Sequence, residues 1–506
     1  MFTPNSALQS RRVVLLIICT CVLICSLTVA FFGFFFQKQS DGSGDMHKQI
    51  LKVALPLQFF KGQKLLDPQN LNYIYEYYLL ENLGSVLLRE DAREPGGYRA
   101  ELMEGYQQES SYSWAFVLKR DLRWSDGSLI QAEDLAQSLL RLSKKGSRHH
   151  LILNDLQSVD FDESSRVIRL RFSQKVEQED LLHELSLADA SLLHPRNFQD
   201  DWTVSSGHFF VEKMSSEKNV LTLKANPYLP VERKPEVQSV ELRDGSTQEG
   251  TLSLLGYDMM KRPPYSFQEK IKKLEDQAKK IWLGHAITIY YFYFGKDHLL
   301  TKDLKSRQEF SHLVALAYRS LTKTPSLFYE EQIVPEGFSG RLKSFSRHLE
   351  PIENLRGKTL KLVFDSRLSG SDFLTTPLLE VGRQHGVQFE IEFSSDKNVL
   401  NQAFAVMTNF VGNQKSPLGS WSFLYSEQGS VGYFREEAQS FLQAVIKSSK
   451  EDRFSRLMDL HKFSLDQTFL VPFMCEQHAI LASERVDLSA LNPFDQRMRF
   501  FEVKWN

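Results

Sequence analysis

From Val13 to Phe36 the chain carries no charged side chain, and most of its residues are Val, Leu, Ile, Phe or Cys. Wound as a helix, that run is about 36 Å long, enough to cross roughly 30 Å of hydrocarbon with some tilt. Arg11 and Arg12 precede it, so the amino end is expected in the cytoplasm (1–12), a membrane anchor at 13–36, and everything after Gln37 outside. A cleaved secretory signal is the competing reading and would leave the protein free in the periplasm. Such signals have an apolar region of about 7–15 residues and a small-x-small cleavage site. This run is longer and ends Phe31-Phe32-Gly33-Phe34-Phe35-Phe36. Cys19, Cys21 and Cys25 follow Ile18, Thr20 and Ile24, a poor match to a lipoprotein site. Residues 37–48 are short, polar and rich in Gly and Ser, which suits a tether.

Cys475 is the one cysteine outside the apolar run, so the exported part has no internal disulfide and depends on packing. Its setting, Val471-Pro472-Phe473-Met474, reads as core rather than as a nucleophile's surroundings. A net charge of −2, with no long basic run, argues against nucleic acid as a partner. The pairs Lys144-Lys145 and Lys279-Lys280 read as solvated faces.

At 506 residues the chain exceeds one compact core, and its patterning suggests two large lobes. Gln49–Leu55 reads as a first strand and Tyr73–Leu88 as a helix. Trp114, Phe116 and Leu118 alternate as in a strand. After the Asp126-Gly127 turn, Ala132, Leu135, Ala136, Leu139 and Leu140 line one helix face. Hairpins are expected over Asp160–Phe172 and around Phe209–Leu223. Ile287–Phe294, apolar on both faces, predicts a buried central strand. Ser306-x-x-Glu309 predicts a capping box before a helix striped by Phe310, Leu313, Val314, Ala317, Tyr318 and Leu321. Leu360–Phe364, a helix to Gln384 and Val387–Phe393 repeat the rhythm of an α/β lobe. Helices near Tyr433–Lys447 and Glu451–Phe469 and a strand around His478–Ala482 close the chain.

Arg123-Trp124-Ser125-Asp126-Gly127, followed by Ala132-Glu133-Asp134, resembles the signature of the oligopeptide/dipeptide-binding proteins, solute-binding protein family 5. Leu66-Asp67-Pro68, Leu80-Glu81-Asn82-Leu83, Ala100-Glu101-Leu102 and Asn226-Pro227-Tyr228 are similar to further pieces of that family's pattern. Turn chemistry at Asp126-Gly127 and a large apolar plug at Trp124 account for these residue types, so the signature reads as scaffold.

The resemblance implies an α/β, two-lobed, periplasmic-binding-protein-like fold of class II type. Lobe I is expected over 49–255 with an inserted subdomain, completed by 470–506, and lobe II over 256–469. It further implies a monomeric, non-enzymatic receptor that closes on a peptide and delivers it to the permease subunits of an ABC importer. A sensor or surface interaction protein binding a non-peptide solute on the same fold is the alternative. In the family an Asp in a Trp-x-x-Asp-Tyr-x-x-Pro stretch holds the ligand amine. The corresponding place here, 409–417, has no carboxylate, so either another acid holds the amine or the ligand lacks one. By position, the candidate ligand residues are Asn409, Phe410, Gly412, Asn413 and Trp421, with His149 and His150. Adjacent histidines lack the i, i+4 spacing of two metal ligands on a helix, and neither metal nor other cofactor is expected. Ser320-Leu-Thr-Lys323 fits Ser-x-x-Lys, but without the companion motifs of a penicillin-binding enzyme in order.

Overall fold

Residues 51 and 53–55 are buried in β1 (Ile50–Leu55), a strand covered on both faces, and around it the rest of a large mixed sheet is built. The computed structural model describes residues 50–55, 65–66, 71, 74–91, 97–145, 152–215, 220–244, 256–261, 279–320, 326–347, 349–366, 372–411, 417–426, 429–491 and 497–506. The expected anchor at 13–36 and tether at 37–48 lie outside these residues.

After β1 come α1 (Ile74–Leu83), β2 (Leu88–Glu90) and β3 (Tyr98–Ala100). The helix expected to reach Leu88 stops at Leu83, because Gly84 packs directly against Ser191, where a Cβ has no room, and the chain then extends into β2. An antiparallel unit follows: β4 (Met103–Ser110), β5 (Ser113–Leu118), α2 (Ala132–Lys145), β6 (Leu156–Asp162) and β7 (Val167–Phe172), in sheet order β4-β5-β7-β6. With α3 (Gln178–Leu185) it encloses a core containing Trp114, Phe116, Trp124, Leu135, Leu139, Ile168 and Leu181. The 160–172 hairpin lies within β6 and β7, where both its turn chemistry and its alternation are local signals.

Next come β8 (Phe209–Ser215), β9 (Val220–Ala225), β10 (Ser239–Asp244), β11 (Met259–Lys261) and β12 (Lys279–Phe294). Beyond them lie α4 (Leu304–Tyr318), β13 (Leu327–Tyr329), β14 (Thr359–Asp365), α5 (Thr375–Gln384), β15 (Gln388–Ser394), α6 (Lys397–Gln402) and β16 (Ala405–Val411). The chain ends with α7 (Pro417–Tyr425), α8 (Arg435–Lys447), α9 (Lys450–Asp466), β17 (Leu470–Ser483), β18 (Val486–Asp487) and β19 (Lys504–Trp505). The main sheet runs β15-β14-β16-β12-β17-β11-β1-β10-β9-β8, with β13 also on β17.

Two separate cores flank this sheet. One gathers β12 from Ile287, α4, β14, β16, α7 to α9, and β17 from Leu470 to Cys475. The other gathers β1, α1, β8 to β11, Ile480, Ala482 and the carboxyl-terminal residues to Val503. The two lobes are therefore joined by β12 and β17, which belong to both. This corrects the expected breaks: Met259 packs in the lobe I core rather than lobe II, and Leu470–Cys475 pack in lobe II rather than lobe I. The physical reason is that the crossing occurs within paired strands, not at loops.

Three further expectations are corrected. The N-cap of α4 is Asp303, whose carboxylate accepts from Ser306 N at 2.9 Å. The Glu309 carboxylate instead accepts from the backbone N–H groups of Asn354 and Leu355. The last strand begins at Leu470, well before His478, and α9 ends at Asp466, with Thr468 turning the chain at φ 49°.

Candidate functional site: the carboxyl ends of two facing sheets

Strand direction fixes which edges of the lobes meet. β17 runs from the lobe II core at Leu470–Cys475 to the lobe I core at Ile480–Ala482. β12 is antiparallel to β17 and to β16, and β14 and β15 are parallel to β16. The carboxyl ends of β14, β15 and β16 therefore point toward lobe I. In lobe I, β11 is antiparallel to β17 and parallel to β1, which is parallel to β10. Their carboxyl ends, Lys261, Leu55 and Asp244, point back toward lobe II. Ligands of open α/β sheets bind outside the carboxyl ends of strands, and here two such edges face each other.

The register names the residues at the lobe II edge. Asn409 lies opposite Tyr290, and Val411 opposite Thr288, which in turn lies opposite Glu476. Residues directly opposite in antiparallel strands share a face. Asn409, Tyr290, Thr288 and Glu476 thus form one polar group, within which Tyr290 Oη donates to Glu476 Oε2 at 2.8 Å. Asp365, the last residue of β14, stands beside Thr408 on the other face, with Thr408 Oγ1 3.4 Å from its Oδ2. On the lobe I side, Lys261 ends β11, with its ammonium 3.7 Å from the centre of the Tyr78 ring.

The residues expected to bind ligand divide accordingly. Asn409 is half-buried at the edge. Phe410 (9% exposed) stacks on Phe423, and Trp421 (2% exposed) packs against Tyr425 and His461. Both are part of the lobe II core. Gly412, Asn413, His149 and His150 lie outside the described residues. Reading the sequence alone missed Asp365 and Glu476. The available signal for Asp365 was an acid directly ending the apolar run Leu360–Phe364. Among the described residues no group of three or more His, Cys, Asp or Glu is arranged to hold a metal ion.

The signature residues lie away from this edge. Trp124 is buried with its ring edge-on to His194 at 5.0 Å, and Ser125 Oγ accepts from Ser205 N at 3.0 Å. Asp126 Oδ1 accepts from the N–H and Oγ–H of Ser128, and these bonds hold its carboxyl below the usual range. Gly127 takes φ 89° against the Tyr228 ring. Ala132 is buried, Glu133 Oε1 accepts from Gln137, and Asp134 Oδ2 accepts from Gln131 N at the start of α2. Of the other expected pieces, Glu101 accepts from Arg89 Nε at 2.7 Å and Arg233 Nη2 at 2.5 Å. Glu81 pairs with Arg89 and Arg499, tying the carboxyl-terminal segment to α1.

Residues 98–314 match the family model of bacterial extracellular solute-binding proteins, family 5, middle region. That match covers 217 of the chain's 506 residues, and over it the chain is similar to solute-binding protein family 5. Its members are non-enzymatic, extracytoplasmic binding proteins of ABC importers. A curated relative described as a "Putative binding protein" from Haemophilus influenzae is 24% identical over 176 residues, 32% of each chain, so the match spans about a third of that relative. Three solved proteins resemble the whole fold. DppA from Helicobacter pylori in complex with peptide STSA has TM-score 0.76 at 13% identity, covering 91% of this chain and 99% of that one. NikA from Staphylococcus aureus in complex with Ni(L-His)2 has 0.73 at 12%, covering 90% and 100%. The murein tripeptide binding protein MppA, at 14% identity, gives 0.72 for its Escherichia coli structure, covering 90% and 98%. Its unliganded open form gives 0.61, covering 90% and 97%.

Proposed function

We propose that this protein binds short peptides with a free amino end between its lobes and hands them to the membrane subunits of an ABC importer. It acts as a monomer held at the outer face of the cytoplasmic membrane by residues 13–36. The observation that carries this reading is the pair of opposed carboxyl edges, one strand ending in Asp365 and the other in Lys261. Asp365 takes the role that 409–417 lack, neutralising the ligand ammonium, since a buried unpaired charge is costly. Lys261, at the opposite edge, supplies positive charge toward the ligand's carboxylate end. Asn409 and the strand edges offer main-chain and amide partners, which tolerate varied side chains.

The test is a binding titration of the purified chain with a library of di- to pentapeptides, each with a free or an acetylated amino end. Wild-type protein is expected to prefer the free amine. Asp365→Asn is expected to weaken that binding by roughly 10- to 100-fold, the range of a hydrogen bond to a charged group. Glu476→Gln keeps the preference. Equal binding of free and acetylated peptides, or a preference abolished by Glu476→Gln and not by Asp365→Asn, refutes the assignment. Membrane attachment is read separately, by whether deletion of 13–36 releases the protein from washed membranes.

A further inference from the structure

Asp180 and Arg453 are 273 residues apart, yet Arg453 Nη1 lies 2.8 Å from both carboxylate oxygens of Asp180. Asp180 is in the first turn of α3, which is anchored by Leu181, Leu182 and Leu185 in the core of the antiparallel subdomain. Arg453 is in the first turn of α9, which is anchored by Leu457 and Leu460 in the lobe II core. The ion pairs Glu81–Arg89, Glu101–Arg233, Glu330–Arg341 and Lys361–Glu392 each stay on one side of the crossing strands. Asp180–Arg453 joins the two sides.

We propose that Asp180 and Arg453 form a latch that stabilises the lobes' closed arrangement. Three observations support it. Both side chains are mostly buried, at 19% and 17% exposure, so the pair is less screened than a surface pair. Arg453 sits where a cation opposes the helix dipole, whereas Asp180, at the start of its own helix, is favoured there. The local disadvantage at Arg453 is offset by its partner on the other lobe. Finally, the whole fold overlays on the unliganded open form of MppA with a TM-score of 0.61 and on its other structure with 0.72. Closure is a population shift, and a contact made in one state alone biases it without touching ligand.

The proposal rests on lobe closure in the reading above, but its test uses no ligand, so a wrong ligand class leaves the test intact. Spin labels at Lys213→Cys (lobe I) and Glu380→Cys (lobe II), both exposed positions, report the interlobe distance by pulsed electron paramagnetic resonance. The full-length chain is used in detergent, with Cys19, Cys21 and Cys25 replaced by serine. Asp180→Asn and Arg453→Gln are each expected to raise the long-to-short distance ratio by about tenfold, between the small effect of breaking an exposed pair and the large one of breaking a buried pair. The exchanged double variant, Asp180→Arg with Arg453→Asp, is expected to recover the short distance. Distributions unchanged in both single variants, or an exchanged variant no closer to wild type than the singles, overturn it.

Discussion

Replacing Glu101 with Gln tests whether lobe I depends on a buried charge network. The carboxylate is 4% exposed and accepts from Arg89 Nε at 2.7 Å and Arg233 Nη2 at 2.5 Å, with His208 Nδ1 at 4.0 Å. Burial alone would raise its pKa, but the guanidiniums of Arg89 and Arg233 outweigh burial and hold it well below the usual carboxylate range. Glutamine keeps the shape and removes the charge, leaving Arg233 buried against a neutral amide. Breaking a buried pair costs about 3–5 kcal/mol. Arg89 retains Glu81 at 2.8 Å, so about 3 kcal/mol, the lower end, is expected. At roughly 2–4 °C per kcal/mol for a unit of this size, the melting temperature of lobe I at pH 7 falls by about 6–12 °C. The group's folded pKa is depressed, so its stabilisation is complete above the unfolded value of about 4.3 and is lost as pH falls toward the folded value. The gap between wild type and Glu101→Gln should therefore narrow below about pH 4. His208, buried against the Phe501 ring at 3.8 Å, is held far below its ordinary value, first by burial and then by Arg233. It lowers stability in acid in both proteins and does not produce the narrowing. Calorimetry from pH 3 to 8 reads both quantities. A drop under about 2 °C at pH 7, or a gap unchanged at pH 3, refutes the argument.

Gly127→Ala is expected to cost about 1–2 kcal/mol from the backbone at φ 89°, plus the contact of the new methyl with the Tyr228 ring at 2.7 Å. Denaturation of the double variant with Tyr228→Ala should recover the second part and leave the first. Cys475 is buried, and burial raises its thiol pKa far above the ordinary value, so the thiolate is scarce at neutral pH. Iodoacetamide at pH 8 should leave Cys475 unmodified in the folded chain and alkylate it in urea, as read by peptide mass spectrometry. Rapid labelling in the native state would contradict the core assignment.

The features legible in the sequence were those decided within a few residues. Asp126-Gly127 needs a positive φ, and the 160–172 hairpin needs only its turn and its period of two. The same locality misled at the α4 cap. Ser306-x-x-Glu309 satisfies the pattern, yet Asp303 three residues earlier takes the role, and Glu309 serves a loop 45 residues away. The crossing strands were under-read for the opposite reason. Pro472 looks unlike a strand, but pairing with Tyr291 draws it into the sheet, as pairing with Ser483 and Ala482 does the backbone of Lys279 and Lys280. Register with distant partners decides such segments, and no window along the chain contains it.

The proposed binding edge was legible in part for a related reason. Asn409 and Phe410 are adjacent, and their opposite directions on β16 send one to the lobe edge and the other into the core against Phe423. An aromatic in sequence does not reveal which of these it does. Asp365 could be read as an acid ending an apolar run, but its position beside Thr408 exists because β14 and β16 pair in parallel across 43 residues. Asp180 and Arg453 lie further beyond sequence reading: each looks like a solvated charge in the first turn of an ordinary helix. In the proposed latch their pairing has meaning because β12 and β17 carry two independent cores. A charge pair inside one rigid core adds only to its stability, whereas the same pair between two moving bodies sets how often they meet.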